Sequence, residues 1–129
     1  MKYRLFAVML VLCLFFSVSY AEINEIQADL YFHSLIPTLY TDKTMHVVVR
    51  MEYIASSIQV TRCRLYKKIG SSWNYVEDLA CPSSVETNSD EYDGDIDYSN
   101  DIGTGTYKIL VTVTADTHTK SVYSNVQTF

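Results

Sequence analysis

The chain has 129 residues, 48% hydrophobic and 19% charged, with a formal net charge of −5; that length holds one domain at most. Charge and apolar character are segregated along it. Residues 1–21 carry Lys2 and Arg4, an unbroken apolar run from Leu5 to Phe16, and the small residues Ser19 and Ala21 on either side of Tyr20. This is the pattern of a secretory signal peptide cut after Ala21. The domain is then 22–129, with eight basic against fifteen acidic side chains and a net charge of −7. Nucleic acid and anionic lipid both demand a basic footprint and are excluded as main partners. The apolar run is too short to span a bilayer comfortably, so the expectation is a secreted, soluble protein with no membrane association after cleavage.

Past residue 21, apolar and polar residues alternate at period two, the mark of half-buried strands. A first strand is expected over 26–33, with Ile26, Ala28, Leu30 and Phe32 on one face. Pro37 and Thr41-Asp42 mark turns before a second strand over 44–54, in which Met45, Val47, Val49, Met51 and Tyr53 face one way and His46, Arg50 and Glu52 the other. Strands follow over 58–69, 73–80, 92–98, 106–114 and 121–129, separated by turn-forming residues at 70–72, 81–84, 101–105 and 115–119. Seven short strands in about 108 residues predict an all-β fold, a single immunoglobulin-like, Greek-key β-sandwich.

The strands over 58–69 and 73–80 read as a hairpin folding back around Ser72. Paired residue numbers then sum to 144, so that Lys67 faces Glu77, Leu65 faces Leu79 and Cys63 faces Cys81. Directly opposed positions lie within the span a disulfide tolerates, and an isolated cysteine pair in an exported chain reads first as a bridge; two buried free thiols are the other reading. Gly105-Thr106-Tyr107 places a tyrosine at the head of a late β-branched strand, the setting of a tyrosine corner, whose hydroxyl bonds back to upstream backbone.

Leu65-Tyr66-Lys67-Lys68-Ile69-Gly70-Ser71-Ser72-Trp73-Asn74-Tyr75-Val76, then Gly105-Thr106-Tyr107, then a last strand with Ser121 and Ser124, together resemble the small secreted proteins of Clostridia-type gut Firmicutes. The resemblance covers most of 22–129 and implies an immunoglobulin-like sandwich, with no activity to carry over. This chain differs from that pattern in its hairpin cysteines and in having Asp116, Thr117 and His118 where a glycine turn is usual.

Catalytic signatures are absent from the sequence: there is no nucleophile elbow, no paired-histidine zinc motif and no phosphate-binding glycine loop, and His33, His46 and His118 are scattered. No catalytic residue and no cofactor is assigned. The tract from Asp90 to Asp101 places Asp93, Asp95, Asp97 and Asp101 at alternating positions, superficially like a calcium loop. Tyr98 occupies the place of the turn glycine and Thr104 that of the closing glutamate. Those four aspartates are a weak calcium candidate. As a strand, the tract would instead put Glu91, Asp93, Asp95 and Asp97 toward solvent and Tyr92, Gly94, Ile96 and Tyr98 inward, a self-repelling edge.

Nine tyrosines and a single tryptophan follow residue 21. Exposed rings of this kind stack on sugars or anchor protein contacts, and Trp73 and Tyr75, near the hairpin tip, are the candidate binding aromatics. The sequence thus points to a secreted, non-enzymatic binding or surface-interaction module whose partner is a protein or a glycan. The alternatives are a small glycan-active enzyme using a carboxylate pair and a weak calcium-binding module.

Overall fold

A computed structural model describes residues 30–129; the expected signal peptide, 1–21, and the first half, 26–29, of the strand expected over 26–33 lie outside the described residues. The domain is all-β. Its strands are β1 (Phe32–Leu39), β2 (Thr44–Ile69), β3 (Ser72–Leu79), β4 (Val85–Asp97), β5 (Thr106–Ala115), β6 (His118–Tyr123) and β7 (Gln127–Thr128). All pairings are antiparallel, in one seven-stranded sheet curled about β2.

The two strands expected over 44–54 and 58–69 are a single 26-residue strand. Along one edge β2 pairs first with β1 (Met45 to Met51) and then with β5 (Ile58 to Lys67); along the other it pairs first with β4 and then with β3. Its middle carries the curl. Arg50 pairs with Glu91 and Ala55 with Ser89, so four residues of β2 stand opposite Asp90 alone. A second irregularity leaves Thr61 unpaired between Val60↔Val113 and Arg62↔Thr112. An extra residue in one strand inverts its alternation. Met45, Val47, Val49 and Met51 are therefore buried in the first part, Ile58 and Val60 before the bulge, and Cys63 and Leu65 after it. All of them belong to one core with residues of β1, β4 and β5.

Three sequence expectations require correction. Pro37 lies inside β1, paired with Val47, rather than in a turn; among the described residues β1 has β2 as its only ladder partner, and a proline is tolerated on an edge strand where its missing N–H faces away from the sheet. The expected last strand is interrupted, with β6 and β7 separated at Ser124, where the Ser124 hydroxyl accepts the Ile109 N–H. The hairpin register also differs. Its loop is the two-residue Gly70-Ser71, with Gly70 at φ 63°, and Ile69 pairs with Ser72. Two-residue loops with positive φ match strand twist, and this loop sets Tyr66 opposite Tyr75; an extra residue at Val76 then brings Cys63 opposite Leu79, not Cys81. Cys81 follows the end of β3. The two cysteines are unbonded thiols, yet they remain within interaction reach of each other.

The tyrosine at the head of β5 behaves as its setting suggests. Tyr107 is buried, and its hydroxyl donates to the Thr104 carbonyl at 3.1 Å. Gly105 just before it has φ 137°, and a Cβ there would stand 2.8 Å from Lys67 Cε.

The acidic tract is a strand in the orientation expected. Glu91, Asp93, Asp95 and Asp97 are exposed, Tyr92, Gly94 and Tyr98 buried. The Tyr92 ring folds over Gly94 and its hydroxyl meets Ser84 Oγ at 2.9 Å. A Cβ on Gly94 would lie 2.9 Å from two ring carbons and 2.5 Å from the hydroxyl. Gly94→Ala should therefore destabilise the domain by about 1–3 kcal/mol through overpacking, read from urea unfolding. Combined with Tyr92→Phe, which removes the nearest atom, the loss should be less than additive.

Candidate functional site

Because the buried side chains of both parts of β2 share one core, the outward side chains of the two parts form two separate surfaces. Their chemistry is opposite. On the first, β4 presents Glu91, Asp93, Asp95 and Asp97 beside Arg50, Val48, His46 and Thr44 of β2. On the second, Arg62, Arg64, Tyr66 and Lys68 of β2 lie between Trp73, Tyr75 and Asp78 of β3 and Lys108 of β5, with Tyr123 of β6 beyond. Four cations face outward there against one carboxylate, in a chain whose net charge is negative.

The second surface is an aromatic row crossing the sheet. Tyr66 meets Tyr75 edge-on at 6.0 Å between ring centroids and Tyr123 edge-on at 5.7 Å. The Lys108 ammonium lies 4.5 Å from the Trp73 centroid and 4.0 Å from that of Tyr123. Arg64 lies over Tyr75 at 5.6 Å. Tyr75 and Tyr123 are about half exposed, at 53% and 45%, so the rings present edges and faces to solvent rather than closing the core. Asp78 is 3.3 Å from Arg62 and 3.4 Å from Arg64. Desolvation, the largest single influence, opposes ionisation, but Arg62, with Tyr75 and Arg64 adding to it, outweighs this and holds the carboxyl below the ordinary aspartate range.

Of the aromatics singled out in the sequence, Trp73 and Tyr75 both lie in this row. Sequence reasoning missed Tyr66, Lys108, Tyr123 and Arg64. Each has the outward parity of its strand, a signal visible in the sequence, but only the register shows that the four strands bring them together.

On the acidic surface, the strand periodicity holds Asp93 and Asp95 on one face, and the ladder sets His46 directly opposite Asp95. His46 Nδ1 bonds Asp95 Oδ1, and Nε2 lies 3.3 Å from Asp93 Oδ1. Arg50 and Glu91 form the adjacent ion pair. Asp97 instead turns to the chain ahead of it, its Oδ1 accepting the Ser99 N–H at 2.7 Å; that bond, with the Ser99 side chain, lowers its pKa. Asp101 lies in the turn beyond. The four aspartates proposed for calcium are thus not gathered as a set. Among the described residues, the donors that converge are those of His46, Asp93 and Asp95.

Behind these surfaces, the Cys63 thiol is pushed up to about 12, by burial first and then by Cys81, against a lowering contribution from the Tyr98 hydroxyl. Tyr98 is fully buried and donates to the Ala80 carbonyl at 2.6 Å. Such a thiol is a poor nucleophile at neutral pH.

Comparison with protein-family models, with curated proteins and with solved structures finds no match. The class rests on the geometry: an all-β domain, one antiparallel sheet curled about a long central strand, with an acidic outer surface and a basic, aromatic one.

Proposed function

We propose that this is an exported, non-enzymatic binding module, an immunoglobulin-like β-sandwich whose basic aromatic surface takes acidic glycans. The observation that carries this reading is the row Tyr75–Tyr66–Tyr123 with Trp73, interleaved with Lys108 and Arg64. Aromatic rings pack against the apolar faces of pyranose sugars, and cations alongside them pair with ring carboxylates or sulfates. A row of rings running across several strands suits an extended polymer. Export is supported by the segregation of charge and apolar residues over 1–21. The nearness of Cys63 and Cys81 would let them close a disulfide in an oxidising exterior. The sandwich reading is supported by the shared core between two outward surfaces.

Trp73 is the sole tryptophan, so its emission reports on this surface directly. Titration with polygalacturonate should shift that emission saturably, and neutral galactan should do so far less. Tyr123→Ala and Lys108→Ala should each weaken binding about tenfold, the equivalent of about 1.4 kcal/mol. An unchanged emission, or binding insensitive to both substitutions, would mean that the row serves only to hold the β2–β3 hairpin against β5 and β6.

A further inference from the structure

The acidic surface holds a second chemistry that the binding reading does not use. We infer that His46, Asp93 and Asp95 form a site for a divalent transition-metal cation, zinc being the simplest probe, in place of the calcium site that the aspartates alone suggest. The distinction turns on the nitrogen. Calcium takes shells of six to eight oxygens, whereas imidazole is a ligand for zinc, copper and nickel.

The donor geometry suits such an ion. His46 Nε2 and Asp93 Oδ1 are 3.3 Å apart. Two ligands at about 2.0–2.2 Å from a tetrahedral zinc stand roughly 3.3–3.5 Å apart, so an ion fits between them with little side-chain movement. The other ring nitrogen, Nδ1, is bonded to Asp95. A carboxylate behind a metal-bound imidazole fixes its tautomer and raises its basicity, and Asp95 is placed to do this from the opposed position of the ladder. The donor atoms of all three residues lie within 4.8 Å of one another, so Asp95 can also swing to the ion. Remaining positions go to water, since the side chains of Asp93 and Asp95 are 70% and 63% exposed.

The backbone makes this arrangement inexpensive to hold. Asp93 and Asp95 are two apart on β4 and share a face by strand alternation, while His46 is fixed across from them by ladder hydrogen bonds. No loop has to order. The ion would tie β4, which among the described residues pairs only with β2, to the central strand, so binding should also stabilise the fold by mass action.

The test is isothermal titration of the purified protein with zinc, calcium and magnesium at constant ionic strength, with thermal unfolding in parallel. One zinc should bind saturably at this site and raise the Tm, while calcium and magnesium should do neither. His33 stands apart on β1, paired with Glu52, and His118 stacks on Tyr31; His46→Gln therefore isolates the site and should remove the saturable event. Asp95→Asn should weaken it by about 10–100-fold, the range for a carboxylate behind a ligating histidine. Asp97→Asn, on the same surface and outside the cluster, should leave it unchanged. Calcium binding as tight as zinc, equal losses with Asp93→Asn and Asp97→Asn, or zinc binding unaffected by His46→Gln would each overturn the inference. None of these outcomes involves the aromatic surface.

Discussion

With its cysteines reduced, the protein should lose stability steeply as the pH rises above about 9. Burial, and then Cys81, hold the folded Cys63 thiol protonated up to about 12, against an ordinary value of 9.0 in the unfolded chain. Below pH 9 the thiol is neutral in both states and its contribution is fully present. Between 9 and 12 the unfolded thiol ionises while the folded one cannot, so stability falls by about 1.4 kcal/mol per pH unit. From this one group the loss approaches an order of 4 kcal/mol by pH 12, a large part of what a domain of this size holds. Tyr98 and Tyr92 are raised as well, in each case first by burial, and they add to the loss above pH 10. Urea midpoints measured in reductant at intervals from pH 8 to 11 should trace this decline, and Cys63→Val should flatten it between 9 and 10, where the tyrosines do not yet contribute. The oxidised protein offers an internal comparison: if a Cys63–Cys81 disulfide forms, the thiol component vanishes and the decline begins later. A reduced protein equally stable at pH 8 and 10.5 would contradict this account of the core.

Asp116→Ala should cost on the order of 2–3 kcal/mol, a large effect for an exposed residue. β1 ceases to pair with β2 opposite Met51, and β5 begins opposite Ile58. The β2 amides between them face a gap in the ladder on that edge. Asp116, in the two-residue turn joining β5 to β6, closes it: its carboxylate accepts the Ser56 N–H at 3.3 Å and the Ser57 N–H at 3.1 Å, and the Tyr53 hydroxyl donates to it at 3.2 Å. Its own N–H donates to the Ser57 carbonyl. The residue also sits at φ 52°, where a β-carbon is tolerated best in Asn and Asp. Alanine loses the acceptor and retains the strain. Glycine relieves the strain but still leaves the two amides without their carboxylate; Asp116→Asn keeps an acceptor and should cost least. Denaturant unfolding of the three variants should give the order Asn, Gly, Ala in increasing loss. An alanine variant as stable as the parent would remove Asp116 from the curl.

The local alternation of side chains was determined by the sequence alone. Met45 to Met51 on the buried face, the acidic residues of β4 outward with Tyr92 and Gly94 inward, and Tyr107 returning to Thr104 were all readable there, because a period of two and a glycine turn act over a few residues. The fusion of two expected strands into β2 was not readable. Neither were the unpaired Thr61, the extra Val76 and the four residues of β2 opposite Asp90, because a bulge leaves composition unchanged and is selected by which neighbour the strand must meet on each edge. Register followed from those bulges and from the choice of a two-residue turn. It was therefore the tertiary structure that set Tyr66 against Tyr75, placed Cys81 near but not opposite Cys63, and moved His46, one of three scattered histidines in the sequence, between Asp93 and Asp95. Strand faces are a local property of the chain; what stands across from them is decided only when the sheet closes its core.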